Sequence, residues 1–329
     1  FMSKSLSLEK CKLDNEWDKF INNSPDQSIF VTKNYLESLN TNLGLYKCFK
    51  GEEIRAIVVL CEDDSKRNNI SNDLLIYSGI CFGPPTNNQN YSQQLSERFS
   101  ITNFIINKLT QFYDSLNFQL SPNFIDIRPF LWHNYGEECS RKFSVDIRYT
   151  SYLNIEKFKA PDLFSNQSLL NNLSSSRRQQ IRYSIKNNIK TKLIDDIDLF
   201  LMFYKKTLLK SNIKLSSYLE NNFRLLISNL LNSEKAKMYL SLSKDCDPAS
   251  IAIVGIDKLR AYYLFGANDP EVNEDSSGTA VLFYAFNQLA KNGINYIDLE
   301  GVNSPRRGWF KLSFGGKLIP YFRINYPNR

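Results

Sequence analysis

The stretch from Ser250 to Gly266 reads Ser-Ile-Ala-Ile-Val-Gly-Ile-Asp-Lys-Leu-Arg-Ala-Tyr-Tyr-Leu-Phe-Gly. Two runs rich in β-branched and aromatic residues flank Asp257-Lys258, the signature of a tight antiparallel hairpin. Just upstream, Ala236 to Ser243 has the same character and is set off by the turn-rich Lys244-Asp245-Cys246-Asp247-Pro248. Together they predict a three-stranded antiparallel meander. After an acidic, polar loop from Asn268 to Ser277, apolar residues recur at Val281, Leu282, Ala285, Phe286 and Leu289, and Asn292-Gly293 follows. That spacing predicts a helix with a stop signal. Ile294 to Leu299 then reads as a strand, and Lys317 to Tyr326 as a final one, with a short helix between them. Upstream of the meander, Ile189 to Ile194 reads as a strand, and Ile197 to Lys210 and Tyr218 to Leu231 as helices. The fold class is α/β, with mixed α+β sheets.

Working outward, the first half repeats this order in outline. Asp14 to Asn22 and Thr32 to Asn40 suggest helices, Leu45 to Phe49 and Ile54 to Cys61 a hairpin, and Leu74 to Ile80 a third strand. A long helix is expected from about Ser92 to Leu116. After it, Asn123-Phe124-Ile125-Asp126-Ile127 parallels Asn295-Tyr296-Ile297-Asp298-Leu299 almost residue for residue, which reads as two copies of one α/β unit. The 329 residues suit two domains of roughly 150 to 170 residues each. The expected division is 2–160 for the first domain, a polar linker at 161–176, and 177–329 for the second, which carries the chemistry.

Composition narrows the function. Hydrophobic residues make up 42% and aromatics 13%, enough for large cores and an aromatic-lined cleft. The net charge of +7 is modest for this length, so its distribution matters more than its size. Cys11, Cys48, Cys61, Cys81, Cys139 and Cys246 are scattered without a CxxC pair and read as reduced structural thiols. His133 is the single histidine, which argues against a histidine triad or a multi-histidine metal centre. Met2 is taken as the native start, and its neighbours show no signal sequence; the most apolar run, Ala56 to Cys61, is far too short to span a bilayer. A cytoplasmic location is expected, and no metal.

Three motifs carry the candidate chemistry. Ser174-Ser175-Ser176 precedes Arg177-Arg178-Gln179-Gln180-Ile181-Arg182, so a serine-capped helix would project Arg177, Arg178 and Arg182 toward a phosphate or an RNA backbone. Downstream, Arg306, Arg307 and Lys311 lie beside Trp309 and Phe310 in a glycine-rich loop that follows a strand, a place where an anion and a flat group can both be held. The third motif, Asp275-Ser276-Ser277-Gly278-Thr279-Ala280, opens the helix after the meander, where leading N-H groups favour anions. The plain structural alternatives are a solvated basic helix, a turn with core aromatics, and a simple helix cap.

The chain resembles the FemABX-like group of the GNAT superfamily, whose members carry two tandem GNAT-like domains and transfer an amino acid from aminoacyl-tRNA to a peptidoglycan precursor. The resemblance rests on Arg177 to Lys186, on Tyr262-Tyr263-Leu264-Phe265-Gly266-Ala267, and on Ile297-Asp298-Leu299-Glu300-Gly301 followed by Phe310-Lys311 and Phe314-Gly315-Gly316. It implies an acyl- or aminoacyltransferase that forms an amide bond on an amine, with the donor at the second domain. Ser277, Gly278, Thr279 and Ala280 then fall at the GNAT loop that receives the pyrophosphate of coenzyme A, although Asp275 stands where that loop has Gln or Arg. By similarity with the family's Phe-Lys pair, Lys311 is the expected cation near the donor or the developing oxyanion. Glu300 and Asp298 are candidate bases, Asp298 with a structural role as the alternative. Tyr263 is either a general acid or part of the core.

No tightly bound cofactor is expected. The donor is an anionic carrier, aminoacyl-tRNA or an acyl thioester such as acyl-CoA, and the acceptor is an amine-bearing small molecule or cell-wall precursor. Two other readings remain: an acyl-CoA-dependent N-acyltransferase of a cell-surface or small-molecule pathway, and a non-catalytic RNA- or partner-binding module built on the two basic clusters. Convergence of Arg177, Arg182 and Lys311 on one cleft beside a carboxylate separates catalysis from binding.

Overall fold

The computed structural model describes residues 5–86, 88–159, 167–210, 212–272 and 274–328. In chain order the elements are β1 (Leu6–Lys10), α1 (Asn15–Ile21), α2 (Lys33–Glu37), β2 (Asn42–Lys50), β3 (Glu53–Glu62), β4 (Gly79–Phe82), α3 (Tyr91–Phe112), β5 (Leu116–Gln119) and α4 (Arg128–Trp132). They continue with β6 (Ser144–Asn154), α5 (Gln167–Asn172), α6 (Ser175–Lys186), β7 (Thr191–Ile194), α7 (Ile197–Leu209) and α8 (Ser217–Asn232). The meander follows as β8 (Ala236–Leu242), β9 (Pro248–Ile256) and β10 (Ala261–Asn268), then α9 (Ser277–Lys291), β11 (Tyr296–Asp298), α10 (Pro305–Leu312) and β12 (Lys317–Tyr326).

The chain divides into two compact units, residues 1–148 with 320–329, and residues 149–319. The first boundary therefore lies near 149 rather than 160, and the last ten residues go with the first unit. Backbone pairing explains both differences. Arg323–Tyr326 of β12 pair antiparallel with Leu116–Gln119 of β5, whereas Tyr152–Asn154 of β6 pair antiparallel with Tyr296–Asp298 of β11. Residues 161–166 of the expected linker lie outside the described residues, and the rest of it is largely helical: α5 occupies 167–172, and Leu169 and Leu173 sit in the core of the second unit.

In the first unit, β1, β2, β3 and β4 form an antiparallel sheet in that order. Its core packs Ala56, Val58, Leu60 and Ile80 of the sheet against Ile101, Ile105 and Leu109 of α3. The expected strand at Leu74–Ile80 is shorter and later, because the Asn72 side chain accepts from the N-H of Leu74 and its carbonyl from that of Leu75, which makes a turn. The expected strand at 123–127 is likewise not one. Pro122 follows Ser121, whose carbonyl accepts from the Phe124 N-H at 2.8 Å, so the chain turns there, and β5 at 116–119 takes the strand position after the long helix.

The second unit is ordered β6, β11, β10, β9, β8, β7 across its sheet. β10 and β11 are parallel, joined by α9, and the other pairs are antiparallel. The period of α9 does what the sequence predicts: Val281, Leu282, Ala285, Phe286 and Leu289 are all buried against Ala252, Val254 and Ala261. The strand β6, with its weak alternation, was not foreseen. All six cysteines are free thiols, and among the described residues no helix is long and apolar enough to cross a membrane.

Candidate functional site

The second unit holds a cleft of about 830 Å³, walled by the end of α7, by β10, by the start of α9 and by α10. Each wall has a local cause. In β10 the pairing with β9 slips between Tyr263 and Phe265, leaving Leu264 bulged out of the ladder at the cleft wall. Tyr263 can lie along its own strand only because residue 266 is glycine: a β-carbon there would overlap the tyrosine hydroxyl.

The start of α9 is pinned from below. The hydroxyls of Ser250 and Ser277 meet at 2.7 Å, and Ser241 donates to the Ser277 carbonyl at 2.9 Å. Ser276, the N-cap residue, makes no side-chain cap bond; its hydroxyl donates instead to Glu274 Oε1 at 2.6 Å. The leading turn of α9, Ser277, Gly278 and Thr279, thus faces the cleft as a helix terminus without a side-chain cap, where the dipole favours negative charge. Gly278 has ordinary space around it, so closeness to a ligand rather than packing is what a glycine offers there.

α10 starts on Pro305 and comes close to residue 302: a β-carbon on Gly308 would lie 2.5 Å from the Val302 carbonyl oxygen. That approach sends Arg306, Arg307, Phe310 and Lys311 to the cleft. Lys311 Nζ lies 5.4 Å from the Tyr263 ring centre and donates to the Gly301 carbonyl at 3.4 Å. Beside it, Glu300 is 5% exposed, has a left-handed backbone at φ 56°, and has one carboxyl oxygen, Oε1, without a hydrogen-bond partner. Asp298 builds this turn by accepting from the Glu300 N-H at 2.7 Å and from the Thr150 hydroxyl. Burial pushes the Glu300 carboxyl well above the usual carboxylate range, against the pull of Lys311. Burial likewise lowers Lys311, while the charge of Glu300 holds it up. Tyr263 is pushed by burial up to about 12, so it keeps its proton at neutral pH.

Of the residues the sequence singled out, Tyr263, Ser277, Gly278, Thr279, Arg306, Arg307, Phe310 and Lys311 line one cleft. Ala280 is buried in α9. Arg177 is buried as well: its guanidinium sits 4.4 and 4.7 Å from the Phe310 and Phe314 rings and bonds Thr279 Oγ1 and Ser313 Oγ. Burial lowers it to about 10. It fastens α6 to α9 and α10, so it positions two cleft residues instead of meeting an anion in solvent. Arg178 donates to the Leu170 carbonyl at 3.2 Å, whereas Arg182 and Trp309 are exposed and outside the cleft lining. Five of the expected donor contacts, Arg177, Arg178, Arg182, Ala280 and Trp309, thus fall outside the cleft lining, because successive residues of a helix point around its whole circumference.

Sequence reasoning missed Tyr204, Lys210 and Asn268, which also line the cleft. It also missed Lys206, which holds the loop after β10 through Asp269 at 2.9 Å and Glu271 at 2.6 Å. The acidic character of that loop was visible; its tie to a lysine a helix away was not.

Residues 175–307 match the family described as Acetyltransferase (GNAT) domain. Among solved structures the chain is similar to FemX, at 11% identity and a TM-score of 0.61 over 95% of this chain and 96% of that one. It is similar also to the C-terminal domain of a putative lysylphosphatidylglycerol synthetase from Agrobacterium fabrum, at 11% identity and a TM-score of 0.56 over 95% and 92% of the two chains. A tandem GNAT protein from the clavulanic acid biosynthesis pathway aligns at 9% identity and a TM-score of 0.54 over 98% of each chain. No curated protein matches the sequence. The family match marks a GNAT-type acetyltransferase domain within the second unit, around most of the cleft lining. The chain's architecture is FemABX-like, with two tandem GNAT-like domains.

Proposed function

We propose that the cleft moves an aminoacyl group from aminoacyl-tRNA to an amine, forming an amide bond on a small-molecule or cell-wall precursor. The observation that carries this reading is the meeting of Lys311, Tyr263 and the uncapped turn of α9 in one cleft, with the Glu300 carboxyl buried beside Lys311. Aminolysis of an ester needs a positioned amine, an acceptor for its proton and a charge for the oxyanion, with no covalent enzyme intermediate. Lys311 supplies the cation where the oxyanion develops. Glu300 acts as the proton acceptor, and Asp298, engaged with Thr150 and the Glu300 N-H, keeps its turn in place. Arg306 and Arg307 face the carrier's phosphates.

The choice of donor follows from charge. Asp269, Glu274 and Asp275 line the cleft near the start of α9, Asp269 paired with Lys206, while Lys210, Arg306, Arg307 and Lys311 line it as well. A pyrophosphate at the start of α9 would meet the carboxylates unfavourably, whereas the α-ammonium of an aminoacyl ester would meet them favourably. Exposed Arg182 and Lys186 on α6 add sites for an RNA backbone. The second reading, an acyl-CoA-dependent N-acyltransferase, draws on the uncapped α9 turn and the bulge of β10, the features that suit a phosphate-bearing thioester. Arg177 and Arg182 do not join Lys311 in the cleft, so the convergence that would exclude a binding module is only partial; what favours catalysis is Lys311, in the cleft wall, against the buried Glu300 carboxyl just behind it.

Thermal unfolding of the native protein with charged tRNA, uncharged tRNA, coenzyme A and acyl-CoA tests the proposal. Charged tRNA should stabilise most, because only a ligand of the folded state raises the midpoint. Stabilisation by coenzyme A and acyl-CoA without any by tRNA replaces the first reading with the second.

A further inference from the structure

The first unit carries a small pocket of its own, about 90 Å³, between the N-terminal half of α3 and the segment Phe124–Asp126. Its wall is the stacked pair Phe82 and Phe124, with ring centres 5.3 Å apart and planes at 21°. Arg98 lies with its guanidinium 5.0 Å over the Phe82 ring. Arg55, Arg67 and Arg128 each reach a carboxylate, but among the described residues Arg98 makes no ion pair. Asp126, on the rim, is committed to Arg128 through two bonds of 2.7 Å. Asp26, whose charge acts on Arg98, is fully buried and accepts from the Phe82 N-H at 2.9 Å. At the mouth, Tyr91 is 70% exposed and Ile125 64%, large apolar surface left facing water beside a cation.

An arginine set on an aromatic face with no carboxylate in ion-pair contact can receive a planar anion: the guanidinium fork takes a carboxylate or phosphate, and the ring walls take the flat apolar part. A closed cavity of roughly 150 Å³ takes up benzene; this notch is smaller, so it holds part of a single ring while the rest of that ring stays at the open mouth. We infer that this pocket binds a small aromatic anion, a single ring bearing a carboxylate or a phosphate, with the ring against Phe124, Leu95 and Tyr91 and the charge on Arg98. The inference concerns the first unit alone and stands whatever donor the second unit uses.

Calorimetric titration of the full chain with benzoate and with phenyl phosphate tests it, beside acetate and inorganic phosphate as charges without a ring and benzyl alcohol as a ring without charge. At least one aromatic anion should bind ~10-fold or more tightly than either ringless ion or the alcohol, and which one does so tells carboxylate from phosphate. Arg98→Met should weaken that binding ~10-fold or more. Leu95→Trp, which fills the notch and leaves the cation in place, should also remove it, so loss by both variants with unchanged unfolding midpoints supports the site. Absence of binding by both aromatic anions, equal binding by ringless ions, or wild-type affinity in either variant overturns it.

Discussion

In the first unit, buried charges come in pairs. Arg55, 6% exposed at its side chain, meets Glu97 at 3.0 Å, and Glu97 also takes Lys50 at 2.7 Å. Lys47 reaches Asp14 and Glu16, and Glu62 takes Lys10 and the Tyr113 hydroxyl. In the second unit the buried and half-buried charges around the cleft are satisfied differently. Arg177 has hydroxyls and rings, Lys311 a carbonyl and a ring, and Glu300 keeps an oxygen without a partner. Paired charges hold a fold; charges left half satisfied in a concave site are kept for a ligand or a reaction. The exception in the first unit is Asp26, fully buried with one oxygen unpartnered.

Five measurements break or sharpen this contrast. The largest effect belongs to Lys311→Met, which should lower kcat/KM for transfer by ~100-fold or more, the scale of losing one oxyanion-stabilising group, while leaving the unfolding midpoint unchanged or raised. Unaltered transfer would take Lys311 out of the mechanism. In the first unit Glu97→Ala should instead cost about 3 kcal/mol of stability by denaturant unfolding, since it leaves buried Arg55 with only the exposed Glu53 and removes the carboxylate shared with Lys50. A loss within about 0.5 kcal/mol would make that network a surface-like one.

Asp26 offers a pH test. Burial raises its carboxyl from 3.8 to about 6, so the folded state holds the proton more tightly than the unfolded chain. Its contribution is therefore full below pH 4 and is lost as pH rises through 6, by at most about 3 kcal/mol. Asp26→Asn should flatten that decline in stability between pH 4 and 7; an unchanged slope shows that the carboxyl is not what titrates. At the cleft, the charged form of Lys311 is weakened by burial and upheld by Glu300. Activity should fall on the alkaline side as Lys311 deprotonates, and Glu300→Gln should move that limb to lower pH. The smallest effect is expected at Arg182→Ala: transfer with saturating donor stays near wild type, and the salt slope of tRNA binding falls by about one.

Much of the second unit was legible because its signals are local. The hairpin at Asp257-Lys258, the period of α9 and the stop at Asn292-Gly293 each need only near neighbours in sequence. In the site, Lys311, Phe310 and the Ser277–Thr279 turn were legible for the same reason, since a short motif sets where a helix begins and what its first turn presents. Arg177 was read as a donor contact, and only the approach of Phe310 and Phe314, from far along the chain, turns it into an internal fastening. Asn123–Ile127 copied the residues of a strand but not its setting, because Pro122 turns the chain before it. β6 was missed since its alternation is broken by exposed Ile147 and Tyr149, and its place depends on a partner, β11, that local pattern does not name.

The return of β12 to the first unit has a consequence for biosynthesis. Tyr321, Ile324 and Tyr326 belong to the first unit's interior, and among the described residues the antiparallel ladder of Leu116–Gln119 is with Arg323–Tyr326. During synthesis those residues are made after the whole of the second unit. Until then the early-made portion carries an unpaired strand edge and an incomplete interior, the condition under which nascent chains seek chaperones or one another. Closing that gap is a contact of very long sequence separation, so maturation of the first unit should be the slow, late event in making this protein.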